Sequence, residues 1–195
     1  MPAQWEFVDP AVPQELRERV LAAALDEVVR WGVERFSVGA LSDRHGIDVE
    51  AVVRYWGSGQ RLLLDTLFYR CEDIIVAPDT GSLREDLKTV ALSVARYLNT
   101  TDGRRLLRAM VLDDRAAQHP DDTRMVYWRR RFATVRAILD QAAVRGELRE
   151  GVDPVTGVQV LLAPINIRAL YTDQHIDDAY CLSVADMAWR ALVRR

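Results

Sequence analysis

Residues 37–58 read S-V-G-A-L-S-D-R-H-G-I-D-V-E-A-V-V-R-Y-W-G-S, and they predict two short helices joined by a tight turn. The first helix runs from about Val38 to His45, and Gly46 ends it because a left-handed residue at a helix end is least strained as glycine. Ile47 fills the corner, and Asp48 opens the second helix as its N-cap. This pattern is typical of a helix-turn-helix, whose second helix lies in the major groove of DNA.

The residues on either side of this segment predict two longer helices. Upstream, apolar residues recur at helical spacing and form one face of a helix that ends at Gly32, namely Leu16, Val20, Ala24, Val28 and Trp31. Downstream, Ser58 is a good cap for a fourth helix that continues until Pro78. The helix-turn-helix is therefore expected to be built into a small helical unit.

The rest of the chain shows the same helical periodicity between start and stop signals. Ser82 and Glu85 form a capping-box pattern, Thr101-Asp102 is a cap for the next helix, and another helix begins near Pro120. Asp153-Pro154 and Asp177 start the last two helices, and Pro164 is expected to kink or restart the first of these. Since no strand pattern occurs, the sequence predicts an all-α fold of about nine helices.

Composition places the chain among ordinary globular proteins. It has 195 residues, of which 28% are charged and 49% hydrophobic, which suffices for one compact unit or two small domains. No apolar run of 18 or more residues occurs, and the N-terminus lacks the basic-then-apolar layout of a signal peptide. These features predict a cytoplasmic location.

Cysteine, histidine and glycine patterns do not indicate an enzyme. Cys71 and Cys181 lie in helical apolar patterns and predict buried free thiols, with a disulfide or redox switch as the alternative. The clusters at 119–122 and 175–178 combine His with Asp at predicted helix starts, where Asp is expected as a cap. The chain lacks a G-x-S-x-G motif, a phosphate-binding glycine loop and a Cys-x-x-Cys pair. We therefore expect no catalytic residues, no metal site and no cofactor.

Residues 21–63 resemble the N-terminal domain of TetR/AcrR-type one-component transcriptional regulators. The similarity lies in the helix ending at Gly32, in Phe36-Ser37 before the next helix, and in the run Y-W-G-S at 55–58 followed by Leu62-Leu63. A looser similarity continues in R-G-E-L-R-E-G-V-D-P at 145–154 and A-P-I-N-I-R-A-L-Y at 163–171. The resemblance implies a three-helix DNA-binding domain at 13–60, with the helix-turn-helix at about 37–56. It also implies a helical ligand-binding and dimerisation domain at 61–195.

The resemblance maps the DNA-binding residues onto the two short helices and their ends. Arg44 and Arg54 are the expected contacts to phosphate or a guanine edge, Glu50 can accept from cytosine or repel phosphate, and the two valines of the reading face can touch a thymine methyl. Ser37 can donate to a phosphate together with helix-end amides. The full expected set is Ser37, Gly39, Arg44, Asp48, Val49, Glu50, Val53, Arg54, Tyr55 and Ser58.

Two features run against strong DNA binding. Residues 1–60 contain ten acidic residues and six arginines, whereas phosphate-binding domains usually carry an excess of positive charge. Family members often have a lysine where this chain has Gly59 and a tyrosine where it has Val53, so two phosphate donors are missing. Either the affinity for DNA is modest, or Gln60 and Arg61 substitute, or DNA binding has been lost.

The remaining expectations concern the C-terminal half. Large apolar side chains at helical spacing are usually core, but the resemblance implies a chamber for a mostly apolar small molecule, with polar anchors near the end of the penultimate helix. The expected ligand-binding residues are Tyr69, Tyr97, Met110, Met125, Trp128, Phe132, Asn166, Arg168 and Tyr171. In such regulators the last two helices form a homodimer interface.

These expectations combine into one functional hypothesis. The chain is expected to be a TetR-like regulator, by family default a repressor, that binds double-stranded operator DNA as a homodimer without contacting a membrane. A mostly apolar small-molecule effector would release it from the DNA. The alternative is a TetR-like dimeric small-molecule-binding protein whose DNA binding is weak or lost.

Overall fold

The computed structural model describes residues 8–69, 77–111 and 123–194, and these residues form nine α-helices and no strand. This confirms the all-α prediction. One isolated antiparallel bridge joins Leu148 to Val193. The helices are α1 Gln14–Trp31, α2 Val38–His45, α3 Val49–Trp56, α4 Gly59–Tyr69, α5 Leu83–Leu98, α6 Thr101–Val111, α7 Thr123–Val144, α8 Pro154–Tyr171 and α9 Asp178–Leu192, with a 3-10 turn at Val33–Arg35.

The described residues divide into two compact units. The first comprises 8–69 with 109–111 and 123–127, and the second comprises 77–108 with 128–194. Compactness thus groups α4 with the helix-turn-helix, because α4 packs on α1 and α3. The functional boundary at residue 60 remains a prediction. No helix in these ranges is long and apolar enough to cross a membrane.

The first unit is held together by a small core to which each of its helices contributes. Val20 and Ala24 of α1 are fully buried, and they share this core with Leu41 of α2 and Leu62 of α4. Trp31, predicted to complete the buried face of α1, is about half exposed. It lies next to Gly32, where the chain turns away, and the Arg44 guanidinium lies 5.5 Å from its ring centroid.

The second unit is organised around α5, which packs on both α8 and α9. Its core is aliphatic and continuous through all of these helices and α7. The core includes Leu87, Val94, Leu139, Leu161 and Val184, each at most 3% exposed. Burial of this many aliphatic side chains gives α8 and α9 a rigid base.

Helix starts confirm some of the predicted caps and correct others. The side chains of Asp153 and Asp177 accept backbone N–H groups of the first turns of α8 and α9, as predicted. Ser82 makes no side-chain cap bond, so the predicted capping box does not form, and the Leu83 N–H donates to Glu147 at 2.9 Å. The start of α6 is capped by the hydroxyl of Thr100, one residue before the predicted Thr101-Asp102.

Pro164 does not restart its helix, since α8 is continuous from Pro154 to Tyr171. Proline removes one N–H donor and so leaves the carbonyl of Val160 without its helical partner. Val160 is exposed, so water can satisfy that carbonyl. The Pro164 carbonyl itself accepts the hydroxyl of Tyr180 at 3.1 Å, which ties α8 to α9 at this point.

Candidate nucleic-acid interface

The turn between α2 and α3 has the geometry that its sequence predicts. Gly46 adopts φ 63° and ψ 29°, a left-handed conformation that glycine accepts without strain. Ile47 is buried beneath the turn, and the Asp48 side chain accepts the Glu50 N–H at 2.9 Å as the N-cap of α3. At the other end of α2, Ser37 Oγ accepts the Ala40 N–H at 3.1 Å. The hydroxyl of Ser37 therefore caps α2, and its proton is still available to a phosphate.

Helix α3 has one buried face and one exposed face. Val52 and Trp56 are fully buried, whereas Val49, Glu50, Val53 and Arg54 are exposed at helical spacing. Arg54 makes no hydrogen bond or ion pair within the part of the chain that the structure describes. A helix of two turns with one charged donor and two small apolar side chains outward has the form of a major-groove reading helix.

The ends of α3 fix the chain around it. Tyr55 is half-buried, packs edge-on against Trp56, and accepts the Asp9 N–H on its backbone carbonyl at 2.7 Å. After the helix, Ser58 Oγ accepts the Arg61 N–H at 3.2 Å and caps α4. Gly39 is exposed on α2. Ser37, Gly39, Asp48 and the α3 residues thus lie in the same compact unit.

Arg44 has a structural partner that the sequence does not reveal. Its guanidinium donates from Nε to Oε1 of Glu27 at 2.8 Å and from Nη2 to Oε2, which forms a bidentate pair with a carboxylate that is only 1% exposed. His45 Nε2 lies 3.0 Å from the same carboxylate. Hydrogen bonds from Arg44, opposed by burial and assisted by His45, lower the pKa of Glu27. Glu27 therefore anchors the end of α2 to α1.

A second buried carboxylate lies behind α3. Asp65 of α4 accepts Trp56 Nε1 at 3.0 Å and Arg17 Nη2 at 2.7 Å, so it joins α3, α1 and α4. The Arg17 guanidinium also lies 5.0 Å from the ring centroid of Tyr69 on α4. Neither carboxylate network has a local sequence signal, because its members are 9 to 48 residues apart.

Gly59, at the position where family members often have a lysine, lies in close contact with α2. A Cβ built at Gly59 would lie 2.9 Å from Cγ2 of Val38, closer than real carbon contacts. The start of α4 therefore approaches the start of α2 too closely for a side chain at this position.

The Arg44–Glu27 ion pair does not change the acidic excess of residues 1–60, because it neutralises one acidic and one basic side chain.

The predicted ligand-binding residues fall in both compact units. Tyr69 and the buried Met110 belong to the first, whereas Tyr97, Trp128 and Phe132 pack against the core of the second. Trp128 and Phe132 stack with their centroids 5.7 Å apart. The side chain of Met125 lies outside the described residues.

The polar anchors on α8 occupy different environments. Oδ1 of Asn166 and Nε of Arg168 are buried without a hydrogen-bond partner in the described structure. The Arg168 guanidinium lies 4.4 Å from the ring centroid of Tyr180, at a depression of about 570 Å³ between α8 and α9. Tyr171 is 80% exposed. It continues an outward apolar stripe of α8 with Val160 and Ile167, and Met187 is exposed on α9.

The remaining candidate groups have ordinary structural environments where they are described. Cys181 is buried as a free thiol, and burial raises the pKa of that thiol. Cys71 and the 119–122 cluster lie outside the described residues. Asp177 is the N-cap of α9. In the ranges 8–69, 77–111 and 123–194, no group of three or more His, Cys, Asp or Glu side chains is placed to hold a metal ion.

Comparison with known proteins agrees with this architecture. The family model described as the tetracyclin repressor-like C-terminal domain matches residues 77–188. The HTH-type transcriptional regulator AqdR of Rhodococcus erythropolis is 30% identical over 161 residues, covering 80% of this chain and 76% of AqdR. The regulator YdeS of Bacillus subtilis strain 168 is 25% identical over 176 residues, covering 89% and 87% of the two chains.

Solved structures show the same fold. The TetR family transcription regulator SCO0332 superposes with a TM-score of 0.64 at 26% identity, covering 91% of this chain and 98% of that structure. The family model spans more than half of the chain, and AqdR matches four-fifths of it at 30% identity. The chain therefore belongs to the TetR family of transcriptional regulators.

Proposed function

We propose that this regulator is a repressor that binds operator DNA as a homodimer and leaves it when a small molecule binds to its C-terminal half. The observation that carries the DNA-binding part is the exposed face of α3. Val49, Val53 and Arg54 point outward there, while Val52 and Trp56 fix the opposite face in the core. The description of the matching family model as repressor-like supports the sign of the regulation.

Base readout by this face follows from its chemistry. Arg54 can donate to the O6 and N7 acceptors of guanine, and Val49 and Val53 can contact thymine methyl groups. Glu50 accepts from a cytosine amine or repels a phosphate, and either effect favours one position on the DNA over another. Phosphate contacts fall to backbone amides at the helix starts and to Ser37, Tyr55 and Ser58. Gly39 and Asp48 lie at the same starts, and we include them in the proposed interface.

Arg44 contributes differently in this proposal. Its side chain is 46% exposed, so one edge of the guanidinium can approach a phosphate while the other holds Glu27. Loss of Arg44 would therefore weaken DNA binding partly by releasing α2 from α1. Arg54 has no such second role in the described structure. Replacing Arg44 should therefore lower folding stability, whereas replacing Arg54 should not, although the sequence predicts the same DNA-contacting role for both.

The dimer would form through α8 and α9. Val160, Ile167 and Tyr171 on α8 and Met187 on α9 are exposed apolar side chains on helices that are otherwise well packed. Exposed apolar residues grouped on two neighbouring helices are typical of a subunit interface. A twofold axis here would present two copies of α3 to DNA, with half-sites about one helical turn apart.

The effector site is proposed in the second unit. Tyr97, Trp128 and Phe132 offer aromatic surface for a mostly apolar ligand, and Asn166 and Arg168 carry the buried unsatisfied polar atoms that a ligand could satisfy. Tyr69, Met110 and Met125 belong to the first unit, and their role in ligand binding stays a prediction from the family resemblance. Repression and release require only that DNA and effector favour different conformations of the dimer.

The test is selection of binding sites from random double-stranded DNA with the purified protein, followed by footprinting of its own upstream region. The proposal predicts a twofold-symmetric site protected over two adjacent major grooves. Aromatic small molecules that stabilise the protein against heat should then release it from that site. Recovery of no preferred sequence would favour the alternative, a dimeric small-molecule-binding protein with weak or lost DNA binding.

A further inference from the structure

Asp65 is a buried carboxylate at the junction of three helices of the DNA-binding unit. It is 4% exposed, and it lies on α4 with its oxygens directed to the end of α3 and the start of α1. Oδ2 accepts Trp56 Nε1 at 3.0 Å and Arg17 Nε at 3.3 Å, and Oδ1 accepts Arg17 Nη2 at 2.7 Å. The carboxylate is therefore fully satisfied by donors from two other helices.

A buried ion pair is a poor way to gain stability alone. Desolvating the two charges offsets much of their attraction, and apolar residues of similar volume often serve a core equally well. Asp65 borders an apolar core in which Val52 and Leu62 are fully buried. The carboxylate instead fixes the relative orientation of the helices that it joins, because a hydrogen bond is directional whereas apolar packing tolerates rotation and sliding.

The hydrogen bond between Trp56 and Asp65 restricts the rotation of α3 about its own axis. Trp56 is fully buried and is the last residue of α3, two residues after Arg54 and three after Val53. Side-chain ends lie about 5–6 Å from a helix axis, so a rotation of roughly 20° displaces them by about 2 Å. Bidentate contact with a base requires placement to within about 0.5 Å. A small rotation of α3 would therefore remove the contacts of Arg54.

We propose that Asp65 is a positioning residue for DNA recognition, which sets the rotation of α3 on α4 and α1 through Trp56 and Arg17. This inference rests on the proposed function, that α3 reads operator DNA. It assigns Asp65 no contact with DNA. Its effect is on discrimination between sequences, since binding to phosphates tolerates a rotated helix better than base contacts do.

The test compares variants that break the link between helices with one that breaks a bond inside α4. Asp65→Leu removes the acceptor, Trp56→Phe removes the indole donor, and Asp65→Asn keeps volume and one acceptor oxygen. Thr66→Val is the matched control, because Thr66 is the adjacent buried polar residue and its hydroxyl donates to the Leu62 carbonyl within the same helix. Each variant is measured at a temperature where circular dichroism shows it fully folded.

The readout is the ratio of affinities for the DNA site selected by the wild type and for a scrambled duplex. We expect Asp65→Leu and Trp56→Phe each to lower this ratio about tenfold or more, which is the size of discrimination that one bidentate base contact supplies. The double variant should lose no more than either single one, since both break one link. Asp65→Asn should stay within about threefold of the wild type, and Thr66→Val should not change the ratio.

Folded variants with an unchanged ratio, or a double variant whose loss is the product of the single losses, would overturn the assignment while leaving the proposed function intact. A merely structural role would lower the melting temperatures of Asp65→Leu and Trp56→Phe and leave the ratio unaltered. If the wild type itself prefers no sequence, the ratio is one from the start. That result would overturn the proposed function, and the assignment with it.

Discussion

Neutralising Glu27 tests the structural role of the ion pair that joins α1 to the end of α2. In the wild type both carboxylate oxygens of Glu27 accept hydrogen bonds from Arg44. The amide of Glu27→Gln keeps one acceptor oxygen, and its NH2 group replaces the other and faces a donor nitrogen of Arg44, so one hydrogen bond is lost. The side chain is 1% exposed, so water cannot easily replace the lost bond at its own position. The result is a weakened link between α1 and the end of α2.

The size of the effect follows from the two ends of the pair. A hydrogen bond to a charged group contributes about 1.5–3 kcal/mol, and exposed ion pairs contribute far less. Because the Arg44 end of the pair is 46% exposed, solvent recovers part of the loss, and we expect neutralisation of Glu27 to cost about 1–2 kcal/mol. For a chain of this length that corresponds to a fall in melting temperature of about 2–8 °C.

The pH dependence supplies a second, independent check. Hydrogen bonds from Arg44, opposed by burial, lower the pKa of Glu27 below its ordinary value of 4.5. The ionised carboxylate of Glu27 therefore makes its full contribution to folding stability above pH 4.5. The contribution is lost as the pH falls through the folded-state pKa, where the carboxylate becomes protonated.

We expect thermal melts of the wild type and Glu27→Gln, recorded from pH 7 to pH 3, to differ in melting temperature. The difference should be constant near neutral pH and decrease as the pH falls below about 4.5. Equal melting temperatures at pH 7, or a gap that persists undiminished at pH 3, would refute this account of Glu27.

Two further predictions concern packing and assembly. Gly59→Ala should destabilise the protein by about 1 kcal/mol in denaturant melts, because crowding against Val38 outweighs the helix-propensity gain of about 0.5–1 kcal/mol. Gly39→Ala should not destabilise it, because the nearest atom to the new Cβ is Ser37 Oγ at 4.0 Å. If Gly59→Ala were stabilising, α4 would not approach α2 as closely as described. Tyr171→Asp and Met187→Asp should each shift the chain from dimer to monomer at micromolar concentration in light scattering with unchanged circular dichroism, and a wild-type monomer would remove the proposed interface.

Features that depend on neighbouring residues could be predicted from the sequence. The bounds of α2 and α3 follow from Ser37, Gly46 and Asp48, because caps and left-handed glycines act within one turn of the chain. The starts of α8 and α9 follow from Asp153 and Asp177 for the same reason. The burial of Val52 and Trp56 opposite Val53 and Arg54 follows from helical periodicity.

Features that depend on distant residues could not be predicted in this way. Glu27 and Arg44 are separated by 17 residues, and Arg17 and Asp65 by 48, so their pairing exists only once the helices pack. The bond from the Leu83 N–H to Glu147, 64 residues later, exists only once the helices pack, for the same reason. The family resemblance mapped Arg44 as a DNA contact, and it could not show that the side chain also anchors α2.

The most direct test of the central claim is fluorescence anisotropy of the wild type, Arg54→Ala and Arg96→Ala on the protein's own upstream DNA at low and moderate salt. Arg96 is an exposed arginine of α5, in the other compact unit, so its loss changes net charge equally. The account predicts saturable, sequence-preferring binding that Arg54→Ala weakens about tenfold and Arg96→Ala leaves unchanged. Equal binding by Arg54→Ala and the wild type, or no sequence preference even at low salt, would contradict it.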